Sequence, residues 1–186
     1  MNSYQGSVLW FTGLSGAGKT TTAQYIEKKL REQGRRVELL DGDELRHTIC
    51  KGLSFSREDR LENVKRITYL SQLLSRNGVD VLVSAITPYN EMREYARQQL
   101  SRYVEIYVKC PLHVCEMRDV KGLYAKARAG EINHFTGVSD PFEEPGSPSI
   151  TLSTSTSTLE QNGQIVLEWL NQSSPYTQSV SWKDTV

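Results

Sequence analysis

The sequence predicts an α/β fold in three layers, α/β/α, around a mainly parallel sheet of five strands, with a lid segment over one edge. Three observations predict it. Strand-like runs alternate with helical ones along the chain, the order that gives parallel strands with helices on both faces. The first strand-like run leads directly into a glycine-rich loop and then into a helix. The third is an unbroken β-prone run, which suits a strand in the centre of the sheet.

The elements follow in order. Ser7-Val8-Leu9-Trp10-Phe11-Thr12 is short and apolar, a buried strand. The helix over residues 21–30 repeats Ala23, Ile26 and Leu30 at helical spacing, and Gly34 stops the chain beyond it. Residues 37–40 form the second strand. Ser56-Arg57-Glu58-Asp59 is a capping-box-like start to a long helix, which Asn77-Gly78 ends. The third strand covers residues 79–86, a helix 91–100 and the fourth strand 103–108, and Pro111 opens the next helix. From 121 to 148 the chain turns rich in Gly, Pro and acidic residues, the texture of a mobile loop and a candidate lid. Residues 150–152 make a short fifth strand, and the Ser/Thr run at 153–158 reads as a linker. The last helix carries Ile165, Val166, Trp169 and Leu170. One domain is expected over residues 1–171, with a polar tail at 172–186.

Bulk properties narrow the partners. With 22 basic and 22 acidic residues there is no global field to recruit nucleic acid or an anionic membrane. No apolar run is long enough to span a bilayer, and the first residues lack a signal-peptide pattern, so a cytoplasmic location is expected. Cys50, Cys110 and Cys115 have no C-x-x-C spacing and are expected as free thiols without an intramolecular disulfide. His47, His113 and His134 are scattered, which argues against a transition-metal site.

The glycine loop is specific. Gly13-Leu14-Ser15-Gly16-Ala17-Gly18-Lys19-Thr20 fits G-x-x-x-x-G-K-[ST] between a strand and a helix, the P-loop. Its backbone N–H groups and the helix N-terminus converge on an anion. Lys19 reaches the β- and γ-phosphates of a nucleoside triphosphate and the Thr20 hydroxyl sits on Mg²⁺. The fold is therefore expected to be of the P-loop NTPase type.

Strands in such sheets deliver functional residues at their carboxyl ends. The second ends in Asp41-Gly42-Asp43, two carboxylates suited to Mg²⁺ and an acceptor hydroxyl, and equally to a turn and a helix N-cap. The third ends Val83-Ser84-Ala85-Ile86-Thr87-Pro88, without the acidic residue that P-loop ATPases keep there, and no Asn-Lys-x-Asp element reads guanine. This favours a small-molecule kinase. Arg46, Arg57, Arg60, Lys65 and Arg66 flank the helix after the Asp pair, and Arg118, Lys121, Lys126 and Arg128 lie in or before the lid. Phosphoryl transfer needs positive charge of this kind. Phe55 and Phe135 fall in loop-like stretches, where they either stack on a ligand or plug the edge of the core.

From about residue 7 to residue 170 the chain resembles the adenylyl-sulfate kinase family. The stretches that carry the resemblance are W-F-T-G-L-S-G-A-G-K-T at 10–20, L-D-G-D at 40–43 with Leu45-Arg46-His47, and E-D-R-L-E-N-V-K-R at 58–66. P-L-H-V-C-E-M-R-D at 111–119, K-G-L-Y-A-K-A-R-A-G at 121–130 and F-T-G-V-S-D-P-F-E-E-P at 135–145 complete them. The P-loop alone is widely shared; the lid sequence joined to D-G-D is far more specific.

The resemblance implies transfer of the ATP γ-phosphoryl group to the ribose 3′-hydroxyl of adenylyl sulfate, within sulfate assimilation. It implies that residues 13–20, with Thr21, hold the ATP phosphates, and that Mg²⁺ lies near Thr20 and Asp41. Asp41, with Asp43, would orient or deprotonate the acceptor hydroxyl. Arg46, Arg60 and Asn63 would grip adenylyl sulfate, Phe55 and Phe135 would sandwich its adenine, and Ile86 and Lys121 would complete that pocket. Arg118 and Thr136 would lie on the ATP adenine side, and a homodimer is expected. One position departs from the family pattern: Thr87-Pro88 stands where Ser-Pro is common, a serine described in the family as carrying phosphate. Threonine adds a methyl and stiffens χ1, so direct transfer is expected, with Thr87 donating a hydrogen bond. A kinase for another hydroxyl acceptor and a catalytically silent nucleotide-binding module are the alternatives.

Overall fold

The computed structural model describes residues 5–173, so most of the expected tail at 172–186 lies outside the described residues. Five strands form one sheet in the order β2-β3-β1-β4-β5, and every pairing in it is parallel. They are β1 (Val8–Thr12), β2 (Val37–Asp41), β3 (Asp80–Ser84), β4 (Tyr103–Lys109) and β5 (Ile150–Ser153). The helices are α1 (Lys19–Glu32), α2 (Gly42–His47), α3 (Arg57–Arg76), α4 (Asn90–Gln99), α5 (Leu112–Arg118), α6 (Leu123–Arg128) and α7 (Leu159–Ser173).

β1 takes the centre of the sheet and the third strand, expected there, lies beside it between β2 and β1; all five residues of each are buried because helices cover both faces. The side chains of β1 alternate between two cores, as a period of two dictates. Leu9 and Phe11 pack with Ile26 and Leu30 of α1 and Val166 and Leu170 of α7. Val8 and Trp10 join Val64 and Ile67 of α3 and Met92 and Ala96 of α4. Parallel pairing sets every strand's carboxyl end on one edge of the sheet. The loops after β1, β2, β3 and β5 meet there, at the side where such sheets bind ligands.

Three segments differ from their sequence expectations. The third strand stops at Ser84 rather than residue 86, because Thr87 takes a left-handed backbone with φ of 47° and turns the chain away. The Ser/Thr run at 153–158 is not a free linker: Thr154 N–H donates to Lys109 O at 3.2 Å, one step beyond β5, and Ser157 N–H folds back to Ser153 O at 3.0 Å. Hydroxyl side chains stabilise such turns, which low sequence complexity conceals. The segment expected as a lid contains a helix, α6, started by Gly122 with φ of 64°. The capping expectation holds, since Ser56 Oγ accepts from Asp59 N–H at 3.2 Å at the start of α3.

Candidate active site

The P-loop closes against the sheet because its glycines take backbone shapes other residues avoid. A Cβ on Gly13, where φ is 149°, would stand 2.5 Å from Val108 O. Gly16 and Gly18 have φ of 74° and 94°, and Gly18 then starts α1 with Lys19 as its first residue. Lys19 is buried, and its Nζ donates to Leu14 O across the loop at 2.8 Å. Burial lowers its pKa from 10.5 to about 8, against the attraction of Asp43 and Asp41. An ammonium held this way waits for an anion to replace lost hydration.

The effect on pH dependence has a definite sign. Polyphosphate oxygens beside Lys19 favour its charged form and raise that pKa. Binding of MgATP at pH 8.5 therefore takes up a fraction of a proton, and at pH 6.5 almost none. Titration calorimetry in buffers of different ionisation enthalpy reads this directly; proton release at pH 8.5 would be the contrary result.

Thr20 Oγ1 donates to Asp41 Oδ2 at 2.7 Å and lies 2.9 Å from Ser84 Oγ. The other carboxylate oxygen of Asp41 accepts the N–H groups of Asp43, at 2.9 Å, and Glu44, at 3.4 Å, capping α2. The residue that caps α2 is thus also the one that accepts from the P-loop threonine. Asp43 lies on the wall of the adjoining cavity, paired with Lys121 across from the lid. The oxygen set of Thr20, Ser84 and Asp41 suits a hard cation such as Mg²⁺, which binds through one or two carboxylates and substrate phosphates. Among the described residues there is no cluster of three or more His, Cys, Asp or Glu side chains able to hold a metal by themselves.

A cavity of about 530 Å³ runs from this loop to the lid. Ser15, Gly16, Gly18, Lys19, Thr20 and Thr21 line one part of it. Asp43, Arg46, Phe55, Arg60, Asn63, Ile86, Thr87, Lys121, Phe135 and Thr136 also lie on its wall, with Arg118. Gly13, Leu14, Ala17 and Asp41 do not line it. Phe55 is exposed, under the guanidiniums of Arg46, 4.2 Å from its ring centroid, and Arg60, 5.4 Å away. Arg46 donates to Leu53 O and Ser54 O, and Arg60 to Phe55 O at 2.8 Å and His134 O at 2.6 Å. Phe135 is buried edge-on to Tyr124, ring centroids 5.0 Å apart, and both side chains join the core. Asn63 Oδ1 and Thr136 Oγ1 are buried without a partner, which is costly unless a ligand or water supplies one.

Thr87 is buried, and its Oγ1 accepts from Trp10 Nε1 at 2.8 Å. With its hydroxyl engaged, the enzyme given ATP alone is expected to acquire no radiolabel. A labelled protein that loses its label in Thr87→Ala would overturn this. Sequence reasoning missed Ser84, Tyr124 and Thr154. Thr154 Oγ1 donates to Ala17 O at 2.7 Å and its carbonyl accepts from Arg118 at 2.7 Å; Tyr124 OH donates to Ser15 O at 3.0 Å. Position at a strand's carboxyl end was the available signal for Ser84 and Thr154.

The adenylylsulphate kinase family model matches residues 5–153. An adenylyl-sulfate kinase of Rippkaea orientalis is 55% identical over 85% of this chain and 87% of its own. One from Halothermothrix orenii is 48% identical over 92% of this chain and 93% of its own. The solved structure of the Mycobacterium tuberculosis APS kinase CysC in complex with AMPPNP and APS superposes with a TM-score of 0.88. It is 43% identical and the match covers 90% of this chain and 98% of that one.

Proposed function

The chain belongs to the adenylylsulphate kinase family, and from that premise we propose how it transfers the ATP γ-phosphoryl group to the ribose 3′-hydroxyl of adenylyl sulfate. The products are ADP and 3′-phosphoadenylyl sulfate. The observation that carries this reading is one continuous cavity that joins the P-loop to a guanidinium-flanked aromatic site. Such a cavity suits two ligands that meet at a phosphoryl group.

In the proposed mechanism the P-loop N–H groups and Lys19 hold the β- and γ-phosphates, with Arg118 and Thr136 towards the ATP base. Thr20 and Asp41 would hold Mg²⁺, which when bound would offset the negative charge of the phosphates. Arg46, Arg60 and Asn63 bind adenylyl sulfate, whose phosphosulfate is a fixed anion suited to guanidinium contacts. Phe55 and Phe135 flank its adenine, and Ile86 and Lys121 close that pocket. Asp43, on the cavity wall, takes the proton of the 3′-hydroxyl as its oxygen bonds to the γ-phosphorus. The bond from that phosphorus to the β–γ bridging oxygen breaks, and its electron pair leaves on ADP beside Lys19. Transfer is direct, without a phosphothreonine.

Arg46→Ala tests the acceptor assignment. Loss of charge-assisted hydrogen bonds worth about 1.5–3 kcal/mol raises the KM for adenylyl sulfate about 10- to 100-fold and leaves that for ATP within about twofold. Equal rises in both would place Arg46 outside the acceptor site. A homodimer in the cytoplasm is proposed on the family resemblance, and light scattering at twice the chain mass is the expected reading for the dimer. Among the described residues no helix is long and apolar enough to cross a membrane.

A further inference from the structure

Behind the Ile86–Thr87 turn lies a buried guanidinium that the proposed mechanism does not use. Arg93 of α4 is 2% exposed and donates in several directions at once. Its Nη1 reaches Thr87 O at 2.6 Å and its Nη2 reaches Glu143 O at 2.5 Å and Asn90 Oδ1. Its Nε stands 3.4 Å from Glu105 Oε1 on β4, which Arg97 also pairs. Two other bonds join the same segments: Glu143 N–H donates to Pro88 O at 2.8 Å and Asn90 N–H to Glu143 Oε2 at 2.6 Å.

Both segments matter to the cavity. Thr87 is β-branched and left-handed, a conformation that costs free energy and persists only when its surroundings over-determine it. Just before it, Ile86 O accepts from Thr12 Oγ1 at 2.6 Å and from Gly13 N–H, the first glycine of the P-loop, at 3.4 Å. Glu143 ends the stretch that carries Phe135 and Thr136. Its other root is tied down by Arg60 to His134 O, and a point nearer Glu143 by Tyr89 OH to Asp140 Oδ2 at 3.5 Å.

We propose that Arg93 is a positioning residue for the acceptor half of the cavity: its guanidinium locks the strained Thr87 turn to Glu143, and so fixes Ile86 and Phe135 on the cavity wall. Lysine cannot replace it, because a single ammonium cannot serve two carbonyls, an amide and a carboxylate set in a planar fork. The inference rests on the functional reading for its kinetic arm only.

The test compares wild type, Arg93→Lys, Glu105→Gln and Asn90→Ala by steady-state kinetics, thermal melting and hydrogen exchange of the 134–146 peptide. Arg93→Lys is expected to raise the KM for adenylyl sulfate about tenfold or more, leave that for ATP within about twofold, and speed exchange in the peptide. Glu105→Gln loosens the same buried network on the side away from Thr87, lowering the melting temperature without either change. Asn90→Ala frees one donor of the guanidinium from an exposed position and shifts both readouts in the direction of Arg93→Lys, by less. Unchanged acceptor KM and exchange in Arg93→Lys overturn the proposal, as does Glu105→Gln reproducing both. If Arg93→Lys does not fold, Asn90→Ala decides alone, and no shift in either readout overturns it. A wild type that does not phosphorylate adenylyl sulfate refutes the functional reading, while the exchange comparison still decides the role of Arg93.

Discussion

Lys19→Met is expected to lower kcat about 10²- to 10³-fold, the scale of removing one preorganised charge from a transition state in a dry site. Lys19 is the first residue of α1, buried, with its Nζ held at 2.8 Å by Leu14 O, so it needs little reorganisation to meet the γ-phosphate. Methionine keeps the buried length and removes the charge. It also removes the desolvated ammonium that burial pushes down to about 8, so the folded state loses a group it holds at a cost. Melting of the ligand-free variant at pH 7 is therefore expected at or above the wild-type temperature. Lost turnover with retained stability is the joint signature, read by ADP release and thermal melting. Turnover within about threefold of wild type would show that the charge of Lys19 is not used.

Asp43→Asn is expected to lower kcat about 10²- to 10⁴-fold with little change in ATP affinity, the range for loss of a positioned general base. Asp41→Asn should behave differently. Asp41 Oδ2 receives the Thr20 hydroxyl at 2.7 Å while Oδ1 caps α2, so its loss weakens metal support and start of helix together. Its turnover recovers in part as Mg²⁺ is raised, whereas that of Asp43→Asn does not. Recovery in Asp43→Asn, with none in Asp41→Asn, would exchange the two roles.

The succession of strands and helices along the chain and the phosphate loop were legible because each rests on a local pattern, whereas the order of the strands across the sheet was not. Residues 8–11 are apolar without interruption, which suits a strand covered on both faces, and Gly13, Gly16 and Gly18 serve φ values that leave little choice of residue. Carboxylates after β2 were legible from position, but not their division of labour, since Asp41 and Asp43 differ only in which neighbours the fold supplies. Thr154 was hidden inside a Ser/Thr run whose composition suggests a linker, and its bond to Ala17 O spans 137 residues. Arg93 gave no signal at all. On a helix rich in charge it looks like a solvated residue, and its burial comes from the meeting of α4, β4 and the lid end, which no local window contains. Loop position alone does not separate ligand stacking from core plugging for Phe55 and Phe135: one is exposed beneath two guanidiniums, while the other packs on Tyr124 at the core edge and still lines the cavity.

The most direct measurement is ADP release from MgATP with adenylyl sulfate, beside a panel of nucleosides and sugar acids, with each product identified by mass and phosphorus NMR. Large stimulation by adenylyl sulfate alone is expected, with a product carrying the new phosphate on the ribose 3′-oxygen. Tight ATP binding with no stimulation by adenylyl sulfate, or stimulation by another acceptor in its place, would contradict it.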